Sequence, residues 1–338
     1  MPTPEFAVIA GETVHDILAG QETEVLEVVR RAYLAHGDGL SVNPPSYFLR
    51  YPDRPADRII ALPASLGGGF DVDGVKWISS FPGNVAAGIP RASAVLILND
   101  HETGYPFACL ESSIISAART AASAALAAAE LHRNRPRPRT VTFFGTGLIA
   151  RYIHTYLHGT GWDFDEITVH DHHREYADAF ASYLDGHDKA NVVVAEGPEP
   201  AVRASGLIVF ATTAGAPHLH EPGWFAHHPT VLHVSLRDLD PAVLRGAVNV
   251  LDDVEHCLKA DTSPHLLEQA DGNRDFVDAT LCDVLRGFEP GRGRPIVFSP
   301  FGLGVLDLAV GAHVYRRAVE RGLASPVPGF FHDLDRYR

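Results

Sequence analysis

The stretch TVTFFGTGLIARYIHTYL, from Thr140 to Leu157, decides the fold. It opens with a short β-branched and aromatic run, passes directly into GTGLIA (145–150), and continues with apolar residues at helical spacing. This order predicts a strand, a tight glycine turn and a helix. In that context a GxGxxA string indicates a dinucleotide site, because glycines admit a pyrophosphate and the helix start supplies amide donors. The residues expected to contact the cofactor here are Gly145, Thr146, Gly147, Leu148 and Ile149.

The next predicted strand, 166–170, ends at Asp171, roughly 20 residues after the glycine turn. An acidic residue at this place accepts hydrogen bonds from an adenosine ribose and repels a 2′-phosphate, so NAD is favoured over NADP. Arg174 follows shortly and is the group that could instead meet a phosphate. No GK[ST] sequence follows the glycines, which excludes a nucleoside-triphosphate loop.

Composition limits the classes to which the chain can belong. Its 338 residues suggest about two domains, and 46% hydrophobic with 21% charged residues indicates a globular protein with a sizeable core. A net charge of −14 disfavours nucleic acid and anionic membrane as partners. No apolar run reaches the roughly 18 residues of a membrane span, and the three scattered cysteines fit reduced thiols. We therefore expect a cytoplasmic protein.

The first third of the chain is predicted to be mostly antiparallel strands, after a helix at 13–36. Apolar runs at 58–66 and 74–84 are joined by three glycines, and runs at 90–100 and 105–112 flank the turn DHETG. The three-glycine connection is not followed by a helix, so it is interpreted as a hairpin and not as a phosphate loop, and DHETG is interpreted as a second hairpin from its flanking strands.

An alanine-rich helix from about residue 110 to 132 ends in RNRPRPR, where proline cannot continue a helix. Strands and helices then alternate, which predicts a doubly wound parallel sheet of the Rossmann type. The predicted fold class is therefore α/β, with the Rossmann domain at 133–302 and an α+β domain with a mostly antiparallel sheet. The second domain comprises 1–132 plus 303–338, because a last helix at 302–322 has no strand to follow. The predicted Rossmann strands are 140–144, 166–170, 191–195, 207–212, 230–236 and 248–252.

Three cationic residues lie in apolar surroundings: Arg50 in FLR, Lys76 in VKWI, and Arg119 in the alanine-rich helix. A buried unpaired charge is costly, so each must face a partner or a polar cavity. A separate internal ion pair for each cation would account for any one of the three. An acidic substrate bound near the cofactor would explain all three together, because arginine makes bidentate contacts to carboxylates.

The carboxyl ends of the later Rossmann strands carry polar residues at the edge where open α/β sheets bind ligands. Asp238 follows the predicted fifth strand and is placed to accept a proton, while Thr212 and Thr213 follow the fourth. Asp238 could instead pair with Arg237 or cap the segment beginning at Pro241. The histidines cluster on loops rich in proline and glycine with no cysteine or carboxylate pattern, so no metal site is predicted.

Four features in this order resemble the ornithine cyclodeaminase and mu-crystallin family: a lysine strand ending in FPGN, Arg119-Thr120-Ala121-Ala122, GTGLIA, and an aspartate after the fifth strand. The resemblance covers nearly the whole chain. It implies that the first domain, completed by the last helix, binds substrate and forms a homodimer. By position, Arg50, Lys76 and Arg119 resemble the substrate-carboxylate ligands, and Asp238 resembles the acid/base residue. Residues implied to lie near the cofactor are Thr120, Thr212, Thr213 and Ser235.

Within the family, KWISSFPGN, SLRDL and FSPFGLGVLDLAVG are most similar to the branch that makes diaminopropionate for siderophores and peptide antibiotics. The implied substrate is a small amino-acid adduct with several carboxylates, so extra cations are needed, and Arg91 and Arg237 are the candidates. Pro300 departs from a serine of some relatives. Lys76 in cationic surroundings can lose its proton, so whether Lys76 or Asp238 is the base stays open. The alternatives are ornithine cyclodeamination, imine reduction, and cofactor-dependent binding without turnover.

Overall fold

A computed structural model describes residues 5–332, which divide into two compact units. The first comprises the described residues up to Arg119 together with those from Leu303 onward, and the second runs from Thr120 to Gly302. The division falls inside the alanine-rich helix, whereas the sequence prediction placed it after that helix, at 132. A long helix can contribute its first turns to one core and its later turns to the next, so composition alone places such a boundary too late.

The first unit is built on a mixed, mostly antiparallel sheet, as predicted. Its order is β16-β1-β7-β6-β5-β4-β2, with β3 also pairing with β4, and only β1 and β7 are parallel. The strands are β1 (Ala7–Ile9), β2 (Ser41–Val42), β3 (Tyr47–Tyr51), β4 (Arg54–Leu66), β5 (Val72–Ser80), β6 (Ala92–Asp100), β7 (Pro106–Glu111) and β16 (Ser325–Pro326). The helices of this unit are α1 (Gly11–Leu18), α2 (Glu22–Gly37), the first part of α3 (Ser113–Leu131) and α11 (Gly304–Glu320).

Helix α11 packs on strands β4, β5 and β6 and on α2, all of which belong to the first unit. Two glycines permit the close approach. A Cβ atom on Gly74 of β5 would lie 2.9 Å from Leu308 Cδ2 of α11, and one on Gly311 of α11 would overlap the Leu96 side chain of β6. The polar residues on this side of α11 therefore lie directly against the sheet.

The second unit contains an eight-stranded, fully parallel sheet in the order β10-β9-β8-β11-β12-β15-β13-β14, the Rossmann arrangement that the alternating pattern predicted. Its strands are β8 (Thr140–Phe144), β9 (Glu166–His170), β10 (Asn191–Val194), β11 (Leu207–Phe210), β12 (Thr230–His233), β13 (Val248–Leu251), β14 (Val277–Thr280) and β15 (Ile296–Ser299). Its helices are the remainder of α3 together with α4 (Leu148–Gly159), α5 (Arg174–Asp185), α6 (Pro198–Ala204), α7 (Pro241–Arg245), α8 (Val254–Cys257), α9 (Ser263–Asp271) and α10 (Leu281–Leu285).

Some predicted elements differ in extent. The helix predicted at 13–36 is two helices, α1 and α2, because Gly20 adopts a φ of +71° between them. The strand predicted at 230–236 ends at His233, since the following residues turn through Leu236 with a φ of +76°. Strands β14 and β15 were not predicted, because short buried strands resemble buried helix segments in sequence.

Helix α3 has the length and composition of a membrane span. However, 72% of its most apolar window is buried inside the protein. The alanines of α3 are buried, because their small side chains let neighbouring elements pack closely against the helix.

Candidate functional site

The turn after β8 requires its first glycine. Gly145 has a φ of +80°, and a Cβ atom there would lie 2.5 Å from the carbonyl oxygen of Ala211. Any other residue would clash with the backbone that follows β11 and would also adopt an unfavourable conformation. The turn therefore stays tight and directs α4 away from the carboxyl end of β8.

The second glycine leaves open space at the start of α4. Gly147 is the N-cap residue and makes no side-chain cap, so the amide groups of the first turn remain available to a ligand. A Cβ atom on Gly147 would meet no heavy atom within 4 Å. Open space beside free helix-start amides fits a pyrophosphate, which such helix ends bind through their N–H groups and dipole.

Asp171 is fixed beside this turn. Its carboxylate accepts hydrogen bonds from Thr146 Oγ1 at 2.8 Å and from the His173 amide at 3.0 Å. Arg174, the residue that could have met a 2′-phosphate, donates to Asp178 one turn along α5 at 2.8 Å. The acidic partner for a ribose is thus in place and the nearby arginine has its own carboxylate, which fits NAD better than NADP.

Gly147→Ala tests this cofactor site without disturbing the fold. Because the new methyl group enters open space at a φ of −75°, we expect unchanged thermal stability. NAD affinity is expected to fall at least about tenfold, or about 1.4 kcal/mol, because the methyl group occupies the space of the pyrophosphate. Titration calorimetry with NAD measures the affinity. Gly197→Ala is the matched control, since Gly197 also caps a helix with nothing near its Cβ; equal losses in both variants would contradict the assignment.

In the first unit, Lys76 and Arg119 are brought together by a residue that the sequence prediction missed. Asp307 of α11 accepts from Lys76 Nζ at 2.6 Å and from Arg119 Nε at 3.2 Å. Ser116, one turn before Arg119 on α3, accepts from Lys76 Nζ at 3.2 Å. Asp307 could have been noticed by the criterion applied to Arg119, since it too is a charged residue in an apolar helix.

These three charged groups carry a net charge of +1 in the interior. Lys76 is 2% exposed and Asp307 is fully buried, while Arg119 is only partly exposed. Burial lowers the pKa of Lys76 to about 8, with Asp307 acting against that shift and Arg119 adding to it. A buried cluster with two cations and one carboxylate favours the binding of a further anion.

The other predicted cations of this unit lie on the same sheet face as Lys76. Ser80 is four residues along β5 from Lys76 and therefore shares its face, and Arg91 Nη1 donates to Ser80 Oγ at 2.7 Å. Ser80 pairs across the sheet with Arg58, and Arg58 pairs with Arg50. Arg50 is exposed and stacks on the Phe48 ring. The face thus carries a row of cations that extends outward from the buried cluster.

In the second unit, Asp238 is fully buried and heavily hydrogen-bonded. Thr212 and Ser235 donate their hydroxyls to its carboxylate, and His218 Nε2 lies 3.0 Å from Oδ1. His233 Nε2 lies 3.3 Å from Oδ2 and also accepts from the Asp238 amide. Burial acts to raise the pKa of Asp238, but the neighbouring His218, His233 and Ser235 outweigh it and hold that pKa well below its usual range.

Neither alternative for Asp238 is found. Arg237 donates to the carbonyl oxygens of Ala260 and Asp261, so its guanidinium holds a turn instead of pairing with Asp238. The cap of α7 is Asp240, whose side chain accepts from the Ala242 amide. Arg237 as a ligand for an extra carboxylate stays a prediction, with two of its donor groups already engaged.

The remaining predicted residues lie in the second unit. Thr212 and Thr213 follow β11, Ser235 follows β12, and Thr120 is in α3. Leu148 and Ile149 form the first turn of α4. Within residues 5–332, no three His, Cys, Asp or Glu side chains form a group that could hold a metal ion. His218 was missed as a partner of Asp238, because the loop histidines were considered only as metal ligands.

Comparison with known proteins identifies relatives along nearly the whole chain. The model of the ornithine cyclodeaminase/mu-crystallin family matches residues 13–322. N-((2S)-2-amino-2-carboxyethyl)-L-glutamate dehydrogenase of Staphylococcus aureus is 28% identical over 90% of this chain and 94% of its own length. An archaeal alanine dehydrogenase dimer with bound NAD has a TM-score of 0.84 at 25% identity, covering 96% of this chain and 100% of that one. Thermococcus litoralis Δ1-pyrroline-2-carboxylate reductase, in complex with NADH and L-proline, has a TM-score of 0.87 at 23% identity, covering 95% and 100%.

Proposed function

Because the chain belongs to the ornithine cyclodeaminase/mu-crystallin family, as its motifs predicted, we propose that it is an NAD-dependent oxidoreductase acting on an amino-acid adduct. The proposed substrate is N-(2-amino-2-carboxyethyl)-L-glutamate and the products are 2-oxoglutarate and L-2,3-diaminopropionate. The prediction that the cofactor is NAD agrees with the solved structures of this fold, which hold NAD or NADH. The Staphylococcus aureus relative, which carries this activity in its name, supports the choice of substrate.

The observation that carries this proposal is the row of cations on one sheet face of the first unit. A single amino-acid carboxylate needs only the buried Lys76–Arg119 cluster. The adduct has three carboxylates, and Arg91 and Arg50 lie on the same face as Lys76, where they can serve the other two. Charge-assisted hydrogen bonds to carboxylates contribute roughly 1.5–3 kcal/mol each, so additional cations favour a poly-anionic substrate.

In the proposed reaction, bound NAD supplies the hydride acceptor. In the first unit, Lys76 and Arg119 bind a carboxylate of the substrate, and Asp307 keeps both cations in position. Asp238 and the groups around it handle protons at the amine. Loss of hydride from the glutamate Cα converts the secondary amine to an imine, water adds to the imine carbon, and the C–N bond breaks.

A direct assay tests the substrate. The protein is incubated with NAD and, separately, the adduct, L-alanine, L-proline or L-ornithine, while absorbance of the reduced cofactor is followed. We expect kcat/KM for the adduct to exceed that for alanine at least roughly 100-fold, because two further carboxylates each contribute about a factor of ten or more. Mass spectrometry should identify 2-oxoglutarate and 2,3-diaminopropionate.

Other outcomes of this assay would indicate the rival activities. Ammonia from ornithine without net NADH indicates cyclodeamination. Preference for proline or its imine indicates a reductase that binds one carboxylate, and NAD binding without turnover of any amine indicates a binding protein. Arg91→Gln should lower kcat/KM for the adduct and leave alanine oxidation unchanged; equal losses on both substrates would assign Arg91 a structural role.

We also propose that the protein is a homodimer formed by the first unit. The face of its sheet opposite to Lys76 exposes apolar side chains, including Trp77 at 45% and its cross-strand neighbour Val95 at 40%. Tyr47, Leu49 and Val8 extend the same face. Large contiguous apolar patches usually mark interfaces, and the archaeal alanine dehydrogenase of this fold is a dimer.

The dimer proposal has a simple test by analytical ultracentrifugation. We expect about twice the 36.6 kDa chain mass for the wild type and the single-chain mass for Trp77→Glu, because a charge in an apolar interface must be desolvated. Val193→Glu, an exposed apolar position on the edge strand of the second unit, is the control. A monomeric wild type, or a dimeric Trp77→Glu variant, would contradict the proposal.

A further inference from the structure

A short parallel pairing beyond the named strands sets two histidines against two aspartates. Leu219 pairs with Leu239 as an isolated parallel bridge, and both leucines are fully buried. The Leu219 and His218 amides donate to the Asp238 carbonyl, and the Asp240 amide donates to the Leu219 carbonyl. This register places His218 beside Asp238 and His220 beside Asp240, each with a nitrogen–oxygen distance of 3.0 Å.

The two His–Asp pairs differ in their surroundings. The His220 side chain is largely solvent-exposed and that of Asp240 partly so, and Asp240 also caps α7. Asp238, in contrast, has no exposed side-chain surface, whereas the His218 side chain is 42% exposed. The His218–Asp238 pair therefore joins a buried, fixed carboxylate to an imidazole that solvent or a ligand can reach.

Asp238 is held rigidly enough to orient this imidazole. Thr212 and Ser235 donate to its carboxylate, and its backbone amide donates to His233 Nε2. The loop that carries Asp238 passes through Leu236 in the left-handed region, a conformation uncommon for leucine and often found at functional sites. His218 lies in the loop after β11, at the carboxyl edge of the parallel sheet where ligands bind.

We propose that His218 is the catalytic residue that exchanges protons with the substrate amine, and that Asp238 is a positioning residue that orients its imidazole. This inference rests on the proposed oxidoreductase function but not on the identity of the amine. Asp238 was predicted to be the acid/base residue, whereas here the proton is exchanged by the adjacent imidazole of His218.

The chemistry requires such a group. A secondary ammonium cannot release hydride from its α-carbon until it loses one N–H proton, which His218 accepts. The C–H electron pair would then leave as hydride, for which NAD held at the turn of Gly145 and Gly147 would be the acceptor, and the N lone pair would form the C=N bond. The imidazolium releases its proton to solvent, water adds to that carbon, and the neutral imidazole carries a proton from the water oxygen to nitrogen. The C–N bond then breaks to give a ketone and an ammonium. The balance is ammonium substrate, NAD⁺ and water giving ketone, ammonium product, NADH and one proton.

Imidazole suits this role better than the buried carboxylate does. A general base works best when its pKa is near the working pH, and imidazoles titrate near neutrality. The lowered pKa of Asp238, due to its hydrogen bonds despite burial, makes that carboxylate a weak proton acceptor. Three titratable groups lie around His218: Asp238, which it contacts, His233, which also lies against Asp238, and His170 at the end of β9. Burial lowers the pKa of His170, and the nearby His218 lowers it further.

The test compares His218→Gln with His220→Gln on the amine that the wild type oxidises best. Glutamine can still donate to Asp238 but cannot carry a proton. We expect His218→Gln to lower kcat/KM about 100- to 10 000-fold with NAD affinity unchanged, and His220→Gln to retain wild-type activity. The loss of wild-type kcat/KM toward acid pH, which is expected when a general base must be unprotonated, should be absent in His218→Gln.

Chemical rescue separates proton transfer from a structural effect. In His218→Ala, added imidazole should restore part of the rate in proportion to its unprotonated form, because the site is open to solvent. Wild-type activity in His218→Gln, an unchanged pH profile, or a loss confined to NAD affinity would overturn the inference. If the best amine is alanine or proline, the proposed adduct substrate fails, while the comparison of the two histidine variants still decides the role of His218.

Discussion

Asp238→Asn is expected to lower kcat about 100- to 10 000-fold while NAD binding is retained. Asparagine has nearly the same volume, so the buried site stays filled. However, it removes the charge and one acceptor from a carboxylate that Thr212, Ser235 and His218 all contact. The imidazole then loses its fixed orientation and the charge that stabilises its protonated form. Steady-state kinetics combined with calorimetric NAD titration measures the two effects separately.

The neighbouring pair provides the control for this variant. Asp240→Asn changes a carboxylate that also contacts a histidine at 3.0 Å, and asparagine remains a good helix cap, so its rate should match the wild type. If Asp238→Asn loses NAD binding to the same extent as turnover, the role of Asp238 is structural.

The pH dependence also decides between Lys76 and the Asp238 group as the source of the base. With its pKa lowered to about 8 by burial, Lys76 loses its positive charge above that pH. If Lys76 binds a substrate carboxylate, kcat/KM falls as pH rises through about 8. If Lys76 is instead the base, kcat/KM rises through the same range. We expect the fall, and in Lys76→Arg it should move beyond the accessible range because arginine stays protonated.

Asp307→Asn is expected to destabilise the protein by about 3–5 kcal/mol, the usual cost of removing one partner from a buried charge network. Asp307 is the carboxylate shared by Lys76 and Arg119, and it is fully buried. Without it, two cations remain in the interior with no opposing charge from α11. Urea unfolding at neutral pH, followed by circular dichroism, measures the change.

The loss should shrink as the pH is raised. Asp307 opposes the lowering of the Lys76 pKa, so its removal lowers that pKa below the wild-type value of about 8. A lysine whose folded pKa lies below its unfolded value makes stability rise with pH between those two values. Glu199→Gln, which removes an exposed ion pair with Arg203, should leave unfolding unchanged. A loss for Asp307→Asn no larger than that of Glu199→Gln would contradict the description of the buried cluster.

Local patterns were enough to predict the dinucleotide half of the candidate site. The strand, glycine turn and helix are consecutive in sequence, and the roles of Gly145 and Gly147 follow from backbone geometry alone. Asp171 was predictable as well, because the carboxyl ends of adjacent parallel strands meet at one edge of the sheet.

The charge partners could not be predicted in the same way. Arg119 and Lys76 were recognised as charges in apolar segments, but their shared partner lies in α11, far along the chain. Similarly, the pairing of His218 with Asp238 depends on one parallel bridge between two loops. Such contacts have no periodic signature in sequence, so residue type alone left ion pair, helix cap and catalytic group as open alternatives.

The sequence by itself determined the fold class, the family and the strand, glycine turn and helix at which the cofactor is predicted to bind, because these depend on hydrophobic periodicity and on glycines with local backbone roles. Only the tertiary structure decided which charged side chains neutralise one another and which clusters keep a net charge. The glycines at 74 and 311 let α11 approach strands β5 and β6, and the loop after β12 turns Asp238 toward Thr212 and His218. The electrostatic character of a buried group depends on what folding places around it, and that information is distributed over distant parts of the chain.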